Sequence, residues 1–158
     1  MGSGARIARL TDAQLPVWVE LRNELWPDSA AGEHAREAEL LGRSTDYLTL
    51  IASDGETAVG FAEAALRRDY VNGCDSSPAL PVVFLEGIYV RPAHRRRGIA
   101  RALCERVESW GRAHGAIEFA SDALVDNVSS HAMHRSLGFE ESARVVYFRK
   151  PLRSEEET

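Results

Sequence analysis

The sequence predicts a single α/β (α+β) domain, one mixed sheet with helices packed on it. Three observations predict it. Short runs rich in β-branched and aromatic residues alternate with longer amphipathic segments, in the order β-α-α-β-β-β-α-β-α-β. Turn residues separate the runs, with Asp54-Gly55, Gly115 and Gly138 at their ends. The chain has 158 residues, 44% hydrophobic and 27% charged, which suits one packed core, and it carries no internal repeat or low-complexity linker.

Each element has its own signal. The stretch ARIARL reads as a short first strand. Thr11 or Asp12 caps the next segment, where Leu15, Val17, Val19, Leu21 and Leu25 give an apolar pattern running to Trp26. Pro27 stops it. Residues 32–42 read as a second, more polar helix. YLTLIAS, DGE and AVGFAEAALR then read as strand, tight turn and strand. The polar connection RDYVNGCDSSPALP, residues 68–81, is too long for an ordinary hairpin and is a candidate functional loop. VVFLEGIYV, residues 82–90, is the strongest strand of the chain. Ile99, Leu103, Val107 and Trp110 recur on one face of an amphipathic helix that Gly115 is placed to end. IEFASDA, residues 117–123, is a fifth strand, residues 127–137 a helix stopped by Gly138, and VVYFRK, residues 145–150, closes the sheet. One domain is expected over residues 1–158, with 1–5 and 152–158 disordered.

Composition excludes several functions. The net charge of -5, from 19 basic and 24 acidic residues, argues against nucleic-acid binding and suits a cationic partner. No run approaches the ~20 apolar residues of a membrane span, and the N-terminus lacks the apolar core of a signal peptide. Cys74 and Cys104 form neither a metal-ligand spacing nor a disulfide framework, so no metal is expected. Both read as free thiols of a cytoplasmic protein.

Against that acidic background stands YVRPAHRRRGIARAL, residues 89–103, with five arginines and a histidine. A strand, then Gly98, then a helix beginning near Ile99 builds an anion site. The first N–H groups of a helix lack intrahelical partners, and the macrodipole places positive charge there. Gly98 carries no side chain to block a close approach. Arg95, Arg96, Arg97 and Arg101 add charge-assisted donors. The anion this predicts is a phosphate or pyrophosphate. Neither G-x-x-x-x-G-K-[ST] nor G-x-G-x-x-G is present.

Arg95 to Ala100 has the form [QR]-x-x-G-x-[GA]. Preceded by LEGIYVRP and followed by Asn127 and Leu137-Gly138-Phe139, it resembles the acetyl-CoA loop of the GNAT acetyltransferase superfamily. That resemblance implies a mostly antiparallel sheet of six to seven strands, about four helices, and a splay between strands four and five. It implies acetyl-CoA as co-substrate. The backbone of Ile88, Tyr89 and Val90 would pair with the pantetheine amides. The N–H groups of Arg96, Arg97, Gly98, Ile99, Ala100 and Arg101 would hold the pyrophosphate, and Asn127 the pantetheine arm. Seven residues after Asn127, where many members place a tyrosine acid for the departing thiolate, stands His134. A histidine titrates near neutrality and suits that task, and it equally suits packing.

ELWPD, RDYVNGCDSSP, VVFLEGIYV, FASD and LGFEE together look like an aminoglycoside 6'-N-acetyltransferase, over roughly residues 6 to 150. The residues make physical sense of a polycationic, hydroxyl-covered substrate. Carboxylates are available at Asp69, Asp75, Glu86 and Asp122, and aromatic faces at Trp26 and Tyr70. Matching the family's motifs makes Trp26, Tyr70, Glu86 and Asp122 the substrate contacts. Each has a plainer alternative. Trp26 before a proline also closes a helix, Tyr70 also decorates a loop, and Asp122 also caps a helix. Glu86 interrupts an apolar strand, where an unpaired buried carboxylate is costly. Direct attack of the 6'-amine on the thioester is expected. Asp122 is the first choice for taking the ammonium proton, Glu86 the second, and a backbone N–H near Ile88 or Val90 stabilises the oxyanion. The segment PALP, residues 78–81, looks longer than the family's loop. The family is commonly homodimeric. The competing functions are acetylation of a polyamine or other small cationic amine, and a non-catalytic acetyl-CoA-binding module.

Overall fold

Two apolar runs in residues 47–67 fold into a hairpin around Gly55, and the rest of the sheet is built out from it. The computed structural model describes residues 4–75 and 80–152. Its elements are β1 (Arg6–Arg9), α1 (Leu15–Leu25), α2 (Glu33–Leu41), β2 (Tyr47–Asp54), β3 (Thr57–Arg67), β4 (Val82–Val90), α3 (Ile99–Ala113), β5 (Glu118–Ala120) and α4 (Val128–Ser136). Single 3₁₀ turns at Asp12–Gln14 and Pro92–His94 lead into α1 and follow β4. Gln14 reaches back to the Thr11 N–H and completes the cap foreseen there.

The five strands lie in the order β1-β2-β3-β4-β5. The first four pair antiparallel, and β5 joins β4 in parallel after the α3 crossover. Helices cover both faces. The α3 face buries Leu48, Leu50, Val83, Leu85, Ile88, Ile99, Leu103, Val107 and Trp110, so the periodicity read from α3 is the buried stripe. The α1–α2 face buries Trp18, Leu21, Ala38, Ile51 and Phe61. Each fully buried side chain of this size contributes about 1.5–3 kcal/mol. The α1 stripe differs in detail from the expected one. Trp18, Leu21 and Arg22 are its buried residues, while Val17 and Val19 are only partly covered.

Two features of β4 position the site. Glu63 pairs with Gly87 and Ala64 with Leu85, so Glu86 is an extra residue, a bulge in β4. Bulges re-aim side chains and are frequent beside active sites. Secondly, β4 pairs with β5 only at Val82–Glu118, Val83–Phe119 and Phe84–Ala120. Beyond Phe84 the β5-facing edge of β4 has no strand partner among the described residues.

The sheet has five strands among the described residues, not the six to seven expected. The fifth is three residues rather than seven. VVYFRK is not a strand: residues 145–150 have no regular structure, and Val146, Tyr147 and Phe148 are 74%, 80% and 92% exposed. β-propensity needs a neighbour with free N–H and C=O groups and a face to cover. The three-residue β5 offers this segment little of either. At the N-terminus Ala5 packs against the α3-side core. The remaining expectations about residues 1–3, 76–79 and 153–158, including the first two residues of the PALP insertion, lie outside the described residues.

Candidate active site

The anion-binding end is the turn from β4 into α3. Arg96 has φ 61° and is the one non-glycine in the left-handed region among the described residues; Gly98, the N-cap of α3, has φ 78°. A left-handed arginine costs of order 1–3 kcal/mol and is held only where its surroundings impose it. The first intrahelical bond of α3 runs from the Ala102 N–H to the Gly98 C=O. The N–H groups of Ile99, Ala100 and Arg101 thus precede the first helical donor and have no intrahelical acceptor. The arginines divide their tasks. Arg95 donates through Nε to the Val90 C=O at 2.7 Å and stacks on Tyr89, so it braces the loop against β4. Arg101 donates to the Ser136 C=O at 2.6 Å and ties α3 to the end of α4. Arg97 lies 3.9 Å from Asp54, and both Arg96 and Arg97 are exposed.

Asn127 is the N-cap of α4. Its Oδ1 accepts the Ser130 N–H at 3.2 Å. That removes helix capping as the task of Asp122, which is exposed two residues past the end of β5. The Phe84–Ala120 register puts Glu86 and Asp122 at the same offset, two residues on, where the parallel strands separate. His134 joins this group. Its Nδ1 lies 2.7 Å from the Ser130 C=O and its Nε2 2.7 Å from Ser121 Oγ. Since a carbonyl only accepts, Nδ1 carries the proton and Nε2 accepts from the Ser121 hydroxyl. Phe139 packs edge-on against the ring at 5.3 Å.

Trp26 and Glu86 line one cleft of about 500 Å³ between α1, α2 and the sheet. Glu86 is half-buried, not fully buried, and it is paired: Arg67 donates to it at 3.0 Å while lying over the Phe84 ring. Tyr70 is 77% exposed in the β3–β4 connection and does not line this cleft. Sequence reading missed much of the lining. Glu33 and Glu37 lie four apart on α2, a spacing that puts two carboxylates on one helix face. Beneath them Glu63 is 1% exposed. It accepts from Trp18 Nε1 at 2.7 Å, from Arg22 Nη1 at 2.6 and 2.7 Å, and from the Tyr47 hydroxyl. Burial drives the Glu63 pKa upward, against the pull of the Arg22 charge and the converging donors. Burial and the Glu63 carboxylate push the Tyr47 phenol up, so it remains a donor.

Neither cysteine is activated. Burial pushes the Cys104 thiol up to about 12, and burial together with Glu118 raises Cys74. Among the described residues no group of three or more His, Cys, Asp or Glu side chains is placed to hold a metal.

A strand whose edge opens halfway, followed by a glycine-capped helix, is the arrangement that the acetyl-CoA loop motif requires. The acetyltransferase (GNAT) family profile matches residues 15–139. The chain belongs to the GNAT acetyltransferase family. Within this GNAT family it is 50% identical over 142 residues to the aminoglycoside N(6')-acetyltransferase type 1 of Acinetobacter haemolyticus, covering 90% of this chain and 95% of that protein. It is 46% identical over 152 residues to the protein of the same name from Stenotrophomonas maltophilia, covering 96% and 97%. Among solved structures, AAC(6')-Iy in complex with the bisubstrate analog CoA-S-monomethyl-acetylneamine superposes with a TM-score of 0.88 at 42% identity, covering 95% of this chain and 100% of that one. The apo aminoglycoside 6'-N-acetyltransferase AAC(6')-IG of Acinetobacter haemolyticus gives 0.88 at 47%, covering 94% and 99%.

Proposed function

We infer that this protein transfers the acetyl group of acetyl-CoA to the 6'-amine of aminoglycoside antibiotics and thereby confers resistance to them. The observation that carries the reading is the pairing of an open β4 edge and glycine-capped α3 with a separate acidic, tryptophan-lined cleft. The relatives' shared name gives that pairing its substrate.

The N–H groups at the start of α3, with Arg96 and Arg97, take the pyrophosphate of acetyl-CoA. The open edge from Ile88 to Val90 takes the pantetheine amides as an added strand would. Asn127, fixed by its cap bond, presents its Nδ2 amide to that arm. The cationic sugar enters the cleft against Trp26, with Glu86 attracting its ammonium groups and Tyr70 stacking from the loop.

The reacting amine arrives as an ammonium, since a lysine-like amine has a pKa of ~10.4. Asp122 accepts that proton, with Glu86 as the second acceptor. The freed nitrogen attacks the thioester carbonyl, and the new C–N bond forms as the π electrons move to oxygen. A backbone N–H near Ile88 or Val90 bonds the oxyanion. Collapse breaks the C–S bond and releases CoA thiolate, and the proton that the acylated nitrogen sheds balances the one the thiolate takes up. The protonated thiols of Cys74 and Cys104 support direct transfer over an acetyl-cysteine intermediate. Both ring nitrogens of His134 are already bonded, which supports an orienting role at the end of β5 over direct acid catalysis. Two free thiols support a cytoplasmic location, and no described helix is long and apolar enough to cross a membrane. A homodimer is supported by the exposed apolar residues Val145, Val146, Tyr147 and Phe148 together with Leu124, Val125 and Val128.

Thiol release from acetyl-CoA, compared for two aminoglycosides bearing a 6'-amine and a 6'-hydroxyl, tests the function. Release with the amine alone is expected. Release with neither, in a protein that still binds acetyl-CoA, would sink it in favour of another amine acceptor or a binding module.

A further inference from the structure

Trp26 stands where a side chain should be loose. It is the residue at which α1 ends, with non-helical φ −123° and ψ 72°, and Pro27 prevents continuation. Four contacts nevertheless fix it. The His34 ring stacks on the indole at 5.9 Å and 27°. The same histidine bonds the Trp26 backbone C=O through Nε2 at 3.1 Å. The Arg22 guanidinium lies 5.1 Å from the indole centroid. The benzene edge of the ring lies against β4 at Gly87, where a β-carbon would come within 2.6 Å of Cη2 and 2.8 Å of Cζ2.

The groups that hold Trp26 are themselves held. Arg22 is 3% exposed and His34 4%. Arg22 bonds both oxygens of Glu63, reaches Glu37, and donates through Nε to His34 Nδ1 at 3.3 Å. That donation fixes the tautomer: Nδ1 accepts from Arg22, so Nε2 carries the proton it gives to Trp26. The chain of contacts therefore runs Glu63, Arg22, His34, Trp26, from buried sheet to cleft wall.

We propose that Arg22 and His34 are positioning residues for acceptor binding. They lock the Trp26 indole as a preformed wall of the cleft, and the absent side chain of Gly87 sets its depth. The proposal rests on the reading that Trp26 contacts the aminoglycoside. A fixed wall spares the bound state the ordering of a large side chain. The effect belongs in the KM of the aminoglycoside, not in that of acetyl-CoA.

The test is steady-state kinetics with both substrates varied, on four variants and one double variant. Trp26→Ala is expected to raise the aminoglycoside KM about tenfold or more, and His34→Leu about tenfold, each with the acetyl-CoA KM within about twofold. His34→Gln keeps one acceptor and one donor and is expected to recover most of the loss. Gly87→Ala, which pushes on the ring from β4, is expected to raise the aminoglycoside KM as well, and it keeps the question answerable if His34→Leu does not fold. The double variant Trp26→Ala/His34→Leu is expected to be no worse than Trp26→Ala. An unchanged KM in Trp26→Ala would overturn the substrate role of Trp26 itself. A raised KM in Trp26→Ala with wild-type values in His34→Leu and Gly87→Ala would overturn the positioning proposal alone. So would full additivity in the double variant.

Discussion

The α1–α2 side and the β5–α4 side of the molecule are built differently. On the α1–α2 side the groups behind the cleft wall are embedded. Glu63 and Arg22 are buried and mutually bonded, Trp18, Leu21 and Phe61 are fully covered, and Trp26 is held from several directions. On the β5–α4 side the framework is thin. β5 has three residues, α4 has no buried residue, and Asp122 is exposed. The difference teaches that recognition surfaces and proton-handling groups answer to different demands. A wall must be rigid before substrate arrives. A group that exchanges protons must stay wet and movable.

The largest effect expected from breaking this contrast is on the embedded side. Arg22→Met leaves Glu63 as an unpaired buried charge, and a loss of about 3–5 kcal/mol in urea unfolding is expected. Adding Glu63→Gln should restore part of it, because the stranded charge is then gone. The opposite profile is expected for Asp122→Asn: stability within about 0.5 kcal/mol, and kcat/KM with a 6'-amine aminoglycoside down by about 10²-fold or more. Unchanged turnover would remove Asp122 from the mechanism. Gly98→Ala meets no atom within 4 Å, so its cost is backbone strain at φ 78°. About 1 kcal/mol is expected, with acetyl-CoA affinity falling and aminoglycoside KM steady. The smallest effect is alkaline. Folded Cys104 titrates at about 12, while an unfolded thiol ionises near ~8.5. Over that interval the native state keeps a proton that the unfolded chain has lost, so stability declines as pH rises above about 9. Unfolding at pH 8 and pH 10 measures it, and Cys104→Ala should flatten the slope.

How legible each part was in the sequence follows from what fixes it. The β2–β3 hairpin and α3 are local patterns, and Leu103, Val107 and Trp110 are where periodicity places them. The glycine-capped turn into α3 was legible because the motif and its backbone geometry occupy the same few residues. Glu63 was not. An acid within an apolar strand looks alike at 63 and 86, and only the packing of Trp18, Arg22 and Tyr47 across the sheet distinguishes the buried one from the half-exposed one. The bulge at Glu86 also breaks the alternation by which facing is read. Residues 145–150 misled because propensity reports what a segment suits, not whether a neighbour is there to pair with it.

The early parting of β4 from β5 makes the protein report its own occupancy. Amides of β4 that face β3 sit in a ladder broken only by the Glu86 bulge, whereas those facing the gap beyond Phe84 have no strand to bond among the described residues. Deuterium uptake along residues 86–90 should therefore be uneven from one amide to the next in the free protein. On the proposed placement of acetyl-CoA in the gap, its binding should slow the fast positions and leave the slow ones untouched, so that cofactor binding becomes readable residue by residue without any catalytic turnover.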